Sequence, residues 1–157
     1  MAYHDDLLRQ ALQLVHKERR NPKQASLRRG VSSAYYALFH LLISEAVANW
    51  NRASLRTALG RAFEHSTMKA ASKRIQNKEK FPFTGEDLRV VVALREVADT
   101  FAQLQEKRHT ADYDNTTFWT RTDALAQVKS AEQAFKPIRH EQIAQAYLVS
   151  LVVKKRD

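Results

Sequence analysis

Between Gln24 and Ala48 apolar side chains recur every three or four residues. Leu27, Val31, Ala34, Tyr35, Leu38, Leu42 and Ala46 form one stripe, which Phe39, Leu41 and Ile43 widen. That period is helical. A helix apolar on most of its sides must be covered by other elements, so this segment is expected to be a central helix. The chain has three glycines and three prolines in 157 residues, too few for the many tight turns of a sandwich or barrel. The expected fold is therefore all-α: one domain, 1–157, an up-and-down bundle of four to five long helices plus a C-terminal helix.

The flanking segments supply the covering helices. A first is expected over Asp5–Glu18, with Leu7, Leu8, Ala11, Leu12, Leu14 and Val15 at helical spacing, ending before Pro22. A third is expected over Arg52–Ile75, with Leu55, Leu59, Ala62, Phe63 and Ala70 inward, broken by Asn77–Lys80 and Phe81–Pro82–Phe83. A fourth is expected from an N-cap at Thr84 to Lys107–Asp112, its core face carried by Leu88, Val91, Val92, Leu94, Ala98, Phe101 and Leu104. A fifth follows over Thr117–Lys136, ended or kinked by Pro137, and a last helix covers Arg139–Val153.

The absence of cysteine excludes a disulfide framework, a thiolate metal site and a cysteine nucleophile. It suits a reducing compartment, and a cytoplasmic location is expected. The start MAYHDDLLRQ lacks the basic segment and apolar run of a secretory signal. The unbroken apolar runs, ALFHLLI and AYLVSLVV, fall short of the ~20 residues of a membrane span. No membrane association is expected. Twenty-six lysines and arginines against 17 acids give a net charge of +9, which favours polyanionic partners through counterion release. Between His16 and Gly30 six bases (Lys17, Arg19, Arg20, Lys23, Arg28, Arg29) stand against the single acid Glu18. Arg19, Arg20, Lys23, Arg28 and Arg29 are the expected nucleic-acid contacts, because an interhelical turn opening a helix suits phosphate. Lys69, Lys73 and Arg74 make a second patch, and Lys154, Lys155 and Arg156 a basic tail. No histidines stand four apart and no dense carboxylate cluster accompanies them, so neither a metal nor any other cofactor is expected.

Two stretches carry a resemblance. The second helix reads SLRRGVSSAYYALFHLLISEA (26–46), and the end of the fourth reads LQEKRHTADYD (104–114). A helix bearing S-A-Y-Y-A-L-F-H followed by R-x-x-A-D-Y resembles the HEPN superfamily, in particular its short stand-alone bacterial members. The resemblance runs from about Asp5 to Phe135, and FEHSTMKAAS (63–72) falls where such proteins often carry a histidine. It implies a homodimer with the fourth-helix motif near the two-fold axis. It also implies a role in a toxin–antitoxin or phage-defence system, either as a metal-independent endoribonuclease or as an inactive module that binds RNA, a nucleotide or a partner protein such as a nucleotidyltransferase or antitoxin. Active members carry an arginine, four to six residues, then a histidine. Here His109 follows Arg108 directly, and Asp112 stands about where the histidine belongs.

The candidate catalytic residues are thus Arg108, His109, Asp112 and Tyr113. Arg108 continues the core-facing stripe of Phe101 and Leu104, so it must lie at a groove, an interface or a paired site. An i, i+4 pair with Asp112 is the alternative. His109 can serve as acid or base near neutral pH. Tyr113 suits a base stack or a dimer contact. Tyr35, Tyr36 and His40 are candidates for packing or ligand contact. His65, which shares a helical face with Arg61, is a further possible base.

Overall fold

A computed structural model of the chain describes residues 2–78, 81 and 84–153. The expected basic tail, and Glu79, Lys80, Pro82 and Phe83 of the expected break, lie outside them. The described residues include α-helices and a 3₁₀ turn, with no strand among them. The helices are α1 (Tyr3–Val15), α2 (Gln24–Ala48), α3 (Arg56–Arg61), α4 (His65–Gln76), α5 (Leu88–Tyr113), α6 (Arg121–Ile138) and α7 (Glu141–Val152), with the 3₁₀ turn at Ala53–Leu55. The all-α bundle is as expected.

Helix α2 is the axis of the bundle and touches α1, α3, α5, α6 and α7. Leu27, Val31, Ala34, Tyr35, Leu38, Leu41 and Leu42 are wholly buried on it. By length and composition α2 reaches the measure of a membrane-crossing helix, but more than half of that stretch is buried inside the bundle. Residue contacts set the directions of its neighbours. Gly30 faces Ala11 and Val15 of α1. Arg28 reaches Ala111 near the end of α5. His4 meets Phe135 and Val15 meets Arg121, so α1 and α6 run antiparallel. Helices α4 and α7 close the bundle over α5.

Arginines tie the helix ends. The last carbonyls of a helix have no partner within it, and here guanidinium groups supply donors. Arg28 Nη1 donates to Ala111 O at 3.0 Å and Asp114 O at 2.7 Å, and its Nη2 to Thr117 O at 2.5 Å. Arg121 Nε donates to Val15 O at 3.1 Å and its Nη2 to Glu18 O. Arg74 Nη2 donates to Ser150 O at 2.8 Å, and Arg95 Nε to Ile75 O at 3.3 Å. At the N-termini, Asp87 accepts from the Arg89 amide and Thr120 from the Asp123 amide.

Two expectations are corrected. The expected third helix is two, α3 and α4, parted at Ala62–Glu64 where Phe63 turns into the core. Its inward residues are Met68, Ala71 and Ile75, while Ala62 and Ala70 face out. Helix α5 begins at Leu88 with Asp87 as its cap, not Thr84. Its buried face runs through Val90, Leu94, Val97, Phe101 and Leu104, leaving Leu88 and Val92 exposed. Pro137 sits in the final turn of α6, one residue before its end at Ile138, close to where that end was expected.

Candidate functional site

Arg108 projects from α5 toward α2, as its place on the core-facing stripe requires. Its side chain is 14% exposed. The guanidinium carbon lies 5.1 Å from the centre of the Tyr35 ring and 5.8 Å from that of Tyr36, over both faces. Such contacts stabilise a cation away from water. Its charge partner is Asp112, with Nη1 3.6 Å from Oδ2, one turn on as anticipated. Arg108 Nε is buried with no hydrogen-bond partner. Asp112 Oδ2 also accepts from Ser32 Oγ at 3.5 Å. The cation is therefore fixed more by aromatic faces than by ions.

Tyr35 joins Arg108 to α4. Its wholly buried side chain places Oη 2.6 Å from His65 Nδ1. Burial pushes the phenol far above its usual range, against the pull of Arg108. His65 is the first residue of α4, and its ring stacks on Phe39 with centroids 4.1 Å apart. Burial holds its pKa below the usual imidazole value, and the positive charge of Arg108 lowers it further. Residues from three helices thus converge: Tyr35, Tyr36 and Phe39 from α2, His65 from α4 and Arg108 from α5. His40 stands to one side, packed edge-on against Tyr3 and Phe39, its pKa also lowered by burial and by His65 and His4.

The R-H-T-A-D-Y segment is divided by its helical geometry. Arg108 and Asp112 face α2. His109 and Tyr113 are exposed, their ring centres 5.0 Å apart. Two open grooves flank the Arg108–Asp112 pair. One, about 430 Å³, lies between α2 and α5 and is lined by Arg29, Ser32, Tyr36, Asp112 and Tyr113 among others. The other, about 330 Å³, lies between α4 and α5 and is lined by Lys69, Gln105, Arg108, His109 and Thr110 together with the acid Glu106.

The basic segment also divides. Arg19, Arg20 and Lys23 are exposed in and beside the α1–α2 turn, and Arg29 is exposed at the groove. Arg28 is occupied by the three carbonyls that follow or end α5. Glu18 orders the turn by accepting from Ser26 Oγ at 2.8 Å, a bond that lowers its pKa, and from the Lys23 amide. Sequence reading did not single out Gln105 as a groove residue, nor Arg121 and Arg95 as helix-end donors. Gln105 stands three residues before Arg108 on the same face, a spacing that marks it in retrospect. Nothing local distinguishes a capping arginine from a solvated one. Among the described residues no group of three or more histidines, aspartates or glutamates stands close enough to hold a metal ion.

No protein-family model matches this chain, and no curated protein or solved structure matches it.

Proposed function

We propose that this chain is a HEPN-type, RNA-associated domain acting as a homodimer in a bacterial toxin–antitoxin or phage-defence system, and that it cleaves single-stranded RNA without a metal. The observation that carries the reading is the setting of Arg108. A guanidinium on the inner side of α5, laid over two tyrosine rings, keeps a buried Nε without a partner between two open grooves. Preorganised cationic donors of this kind stabilise developing negative charge on a phosphoryl group. Arg29 in one groove and Lys69 in the other extend the positive path. Arg19, Arg20 and Lys23 continue it along the α1–α2 turn.

The experiment is the affinity of labelled single-stranded RNA as a function of salt, for the wild type and for Arg108→Ala. Salt-dependent binding that weakens on loss of Arg108 is the expected result.

A second reading has its own observations. Asp112 pairs with Arg108, and His109 is turned out beside an exposed Tyr113. These suit an inactive dimerisation module whose α5 end meets a partner protein, such as a nucleotidyltransferase or antitoxin. RNA that neither binds nor is cut would favour it.

A further inference from the structure

We propose that His65, held in place by Tyr35, is the general base of RNA cleavage and works with Arg108 of the same protomer. The inference rests on the RNA-cleaving reading above and names the group that reading lacks. His109, adjacent to Arg108 in sequence, lines the same groove but is exposed, and its tilted ring contact with Tyr113 does not fix its ring nitrogens as a hydrogen bond would. Asp112 faces Arg108 but is taken up by it and by Ser32 Oγ.

His65 satisfies the geometry that these two do not. Its imidazole and the Arg108 guanidinium surround the same two tyrosines. The guanidinium lies over Tyr35 and Tyr36 at 5.1 and 5.8 Å, while the His65 ring lies 5.7 and 5.8 Å from them. Stacking on Phe39 fixes the ring plane, and the Tyr35 hydroxyl fixes its rotation through Nδ1 at 2.6 Å. That leaves Nε2 as the atom for substrate. One turn along α4 from His65, Lys69 lines the groove that Arg108 also lines. The charged and titratable groups around the imidazole are Tyr35, Tyr36 and His40 from α2, Arg108 from α5 and Glu64 from its own helix cap. Burial, and then the charge of Arg108, lower its pKa, which favours the neutral form a base requires.

The role requires the tautomer in which Nδ1–H donates to Tyr35 Oη and the lone pair is on Nε2. The ribose 2′-hydroxyl gives its proton to Nε2 as its oxygen bonds to phosphorus. The bond from phosphorus to the 5′-oxygen breaks, and that oxygen takes a proton from water. The imidazolium returns its proton to solvent. The products are a 2′,3′-cyclic phosphate and a 5′-hydroxyl. Tyr35 touches no substrate and is a positioning residue. Its oxygen accepts Nδ1–H throughout and favours the imidazolium.

The test is single-turnover cleavage of 5′-labelled single-stranded RNA in EDTA, from pH 5 to 8, by the full chain and its His65→Gln, His109→Gln and Tyr35→Phe variants. Affinity is measured in parallel with a 2′-deoxy oligonucleotide, which cannot be cut. His65→Gln is expected to slow cleavage roughly 10²- to 10⁴-fold with little change in affinity, whereas His109→Gln, in the groove that Arg108 lines, is expected to weaken affinity and to slow the cleavage step less than about tenfold. Tyr35→Phe removes the acceptor of Nδ1–H, so the acidic limb of its rate profile should move to lower pH. A merely structural tyrosine would lower the rate equally at every pH. His65→Gln cleaving at the wild-type rate overturns the proposal and leaves the RNA reading standing. A wild type that binds RNA without cutting it overturns both this proposal and the cleavage half of that reading. Should His65→Gln melt early, an unmoved acidic limb in Tyr35→Phe overturns the proposal in its place.

Discussion

Arg28 and Arg29 are neighbours in a basic run, yet they do different work. Both line the open α2–α5 groove, but Arg28 is bound to three carbonyls at and beyond the end of α5, whereas Arg29 is exposed there. Hydrogen bonds involving a charged group contribute about 1.5–3 kcal/mol each, net of exchange with water, and less where the group is partly exposed. Arg28→Ala should therefore lower stability by about 2–3 kcal/mol, roughly 5–10 °C in Tm for a domain of this size. Arg29→Ala should leave Tm unchanged within error and weaken RNA binding. Calorimetric melting of both variants checks this. Equal melting temperatures would show that the Arg28 contacts do not hold the α5 end. The contrast marks a limit of sequence reading at this scale. The charge excess was plain, but its division between helix-end donors and free cations depends on which carbonyls lie opposite, and those are distant in the chain. Arg108 was more legible, because its helical phase set it facing inward. The Tyr35–His65 contact was not, since a partner in another helix leaves no periodic trace.

At the scale of elements, legibility followed periodicity. The bounds of α2 matched expectation because its stripe is long and its ends are marked by Pro22 and Asn49. The third segment misled because no proline stands at Ala62–Glu64. Its break comes from tertiary demand, with Phe63 seated in the core and His65 stacked on Phe39. The start of α5 slipped because Thr84 and Asp87 are both credible caps. Its core face from Leu94 to Leu104 was as expected, and only Leu88, Val91 and Val92 near its start were wrongly turned inward. Gly30 gives a test of how α1 and α2 meet. A Cβ there would lie 2.8 Å from Val15 Cγ2 and 3.3 Å from the Ala11 carbonyl oxygen. In an open helix Gly→Ala gains roughly 1 kcal/mol. Here the overlap with a β-branched side chain and a backbone atom reverses the sign. Gly30→Ala should destabilise by about 1–2 kcal/mol, read as an earlier denaturant midpoint at unchanged slope. A stabilised variant would mean that the two helices are not so close.

At the scale of the whole molecule, a helical bundle carries a basic surface and, on the inner side of α5, Arg108. Tyr113 and Phe118, 66% and 76% exposed, place two large aromatic side chains around the end of α5, where the proposed two-fold axis lies. Sedimentation equilibrium should report twice the 18.1 kDa chain mass, and Tyr113→Ala should weaken that association. A monomer at high concentration would contradict the dimer and leave the one-protomer site of Arg108 and His65 intact. The central claim is that Arg108 meets the phosphate of RNA. Its most direct test is the affinity for labelled single-stranded RNA measured against salt concentration. The wild type should bind with a log–log slope of about −0.7 for each phosphate neutralised, summed over several contacts. Arg108→Ala should bind more weakly, with a slope shallower by about 0.7. Equal affinity and slope in the two proteins, or no binding even at low salt, would contradict the account.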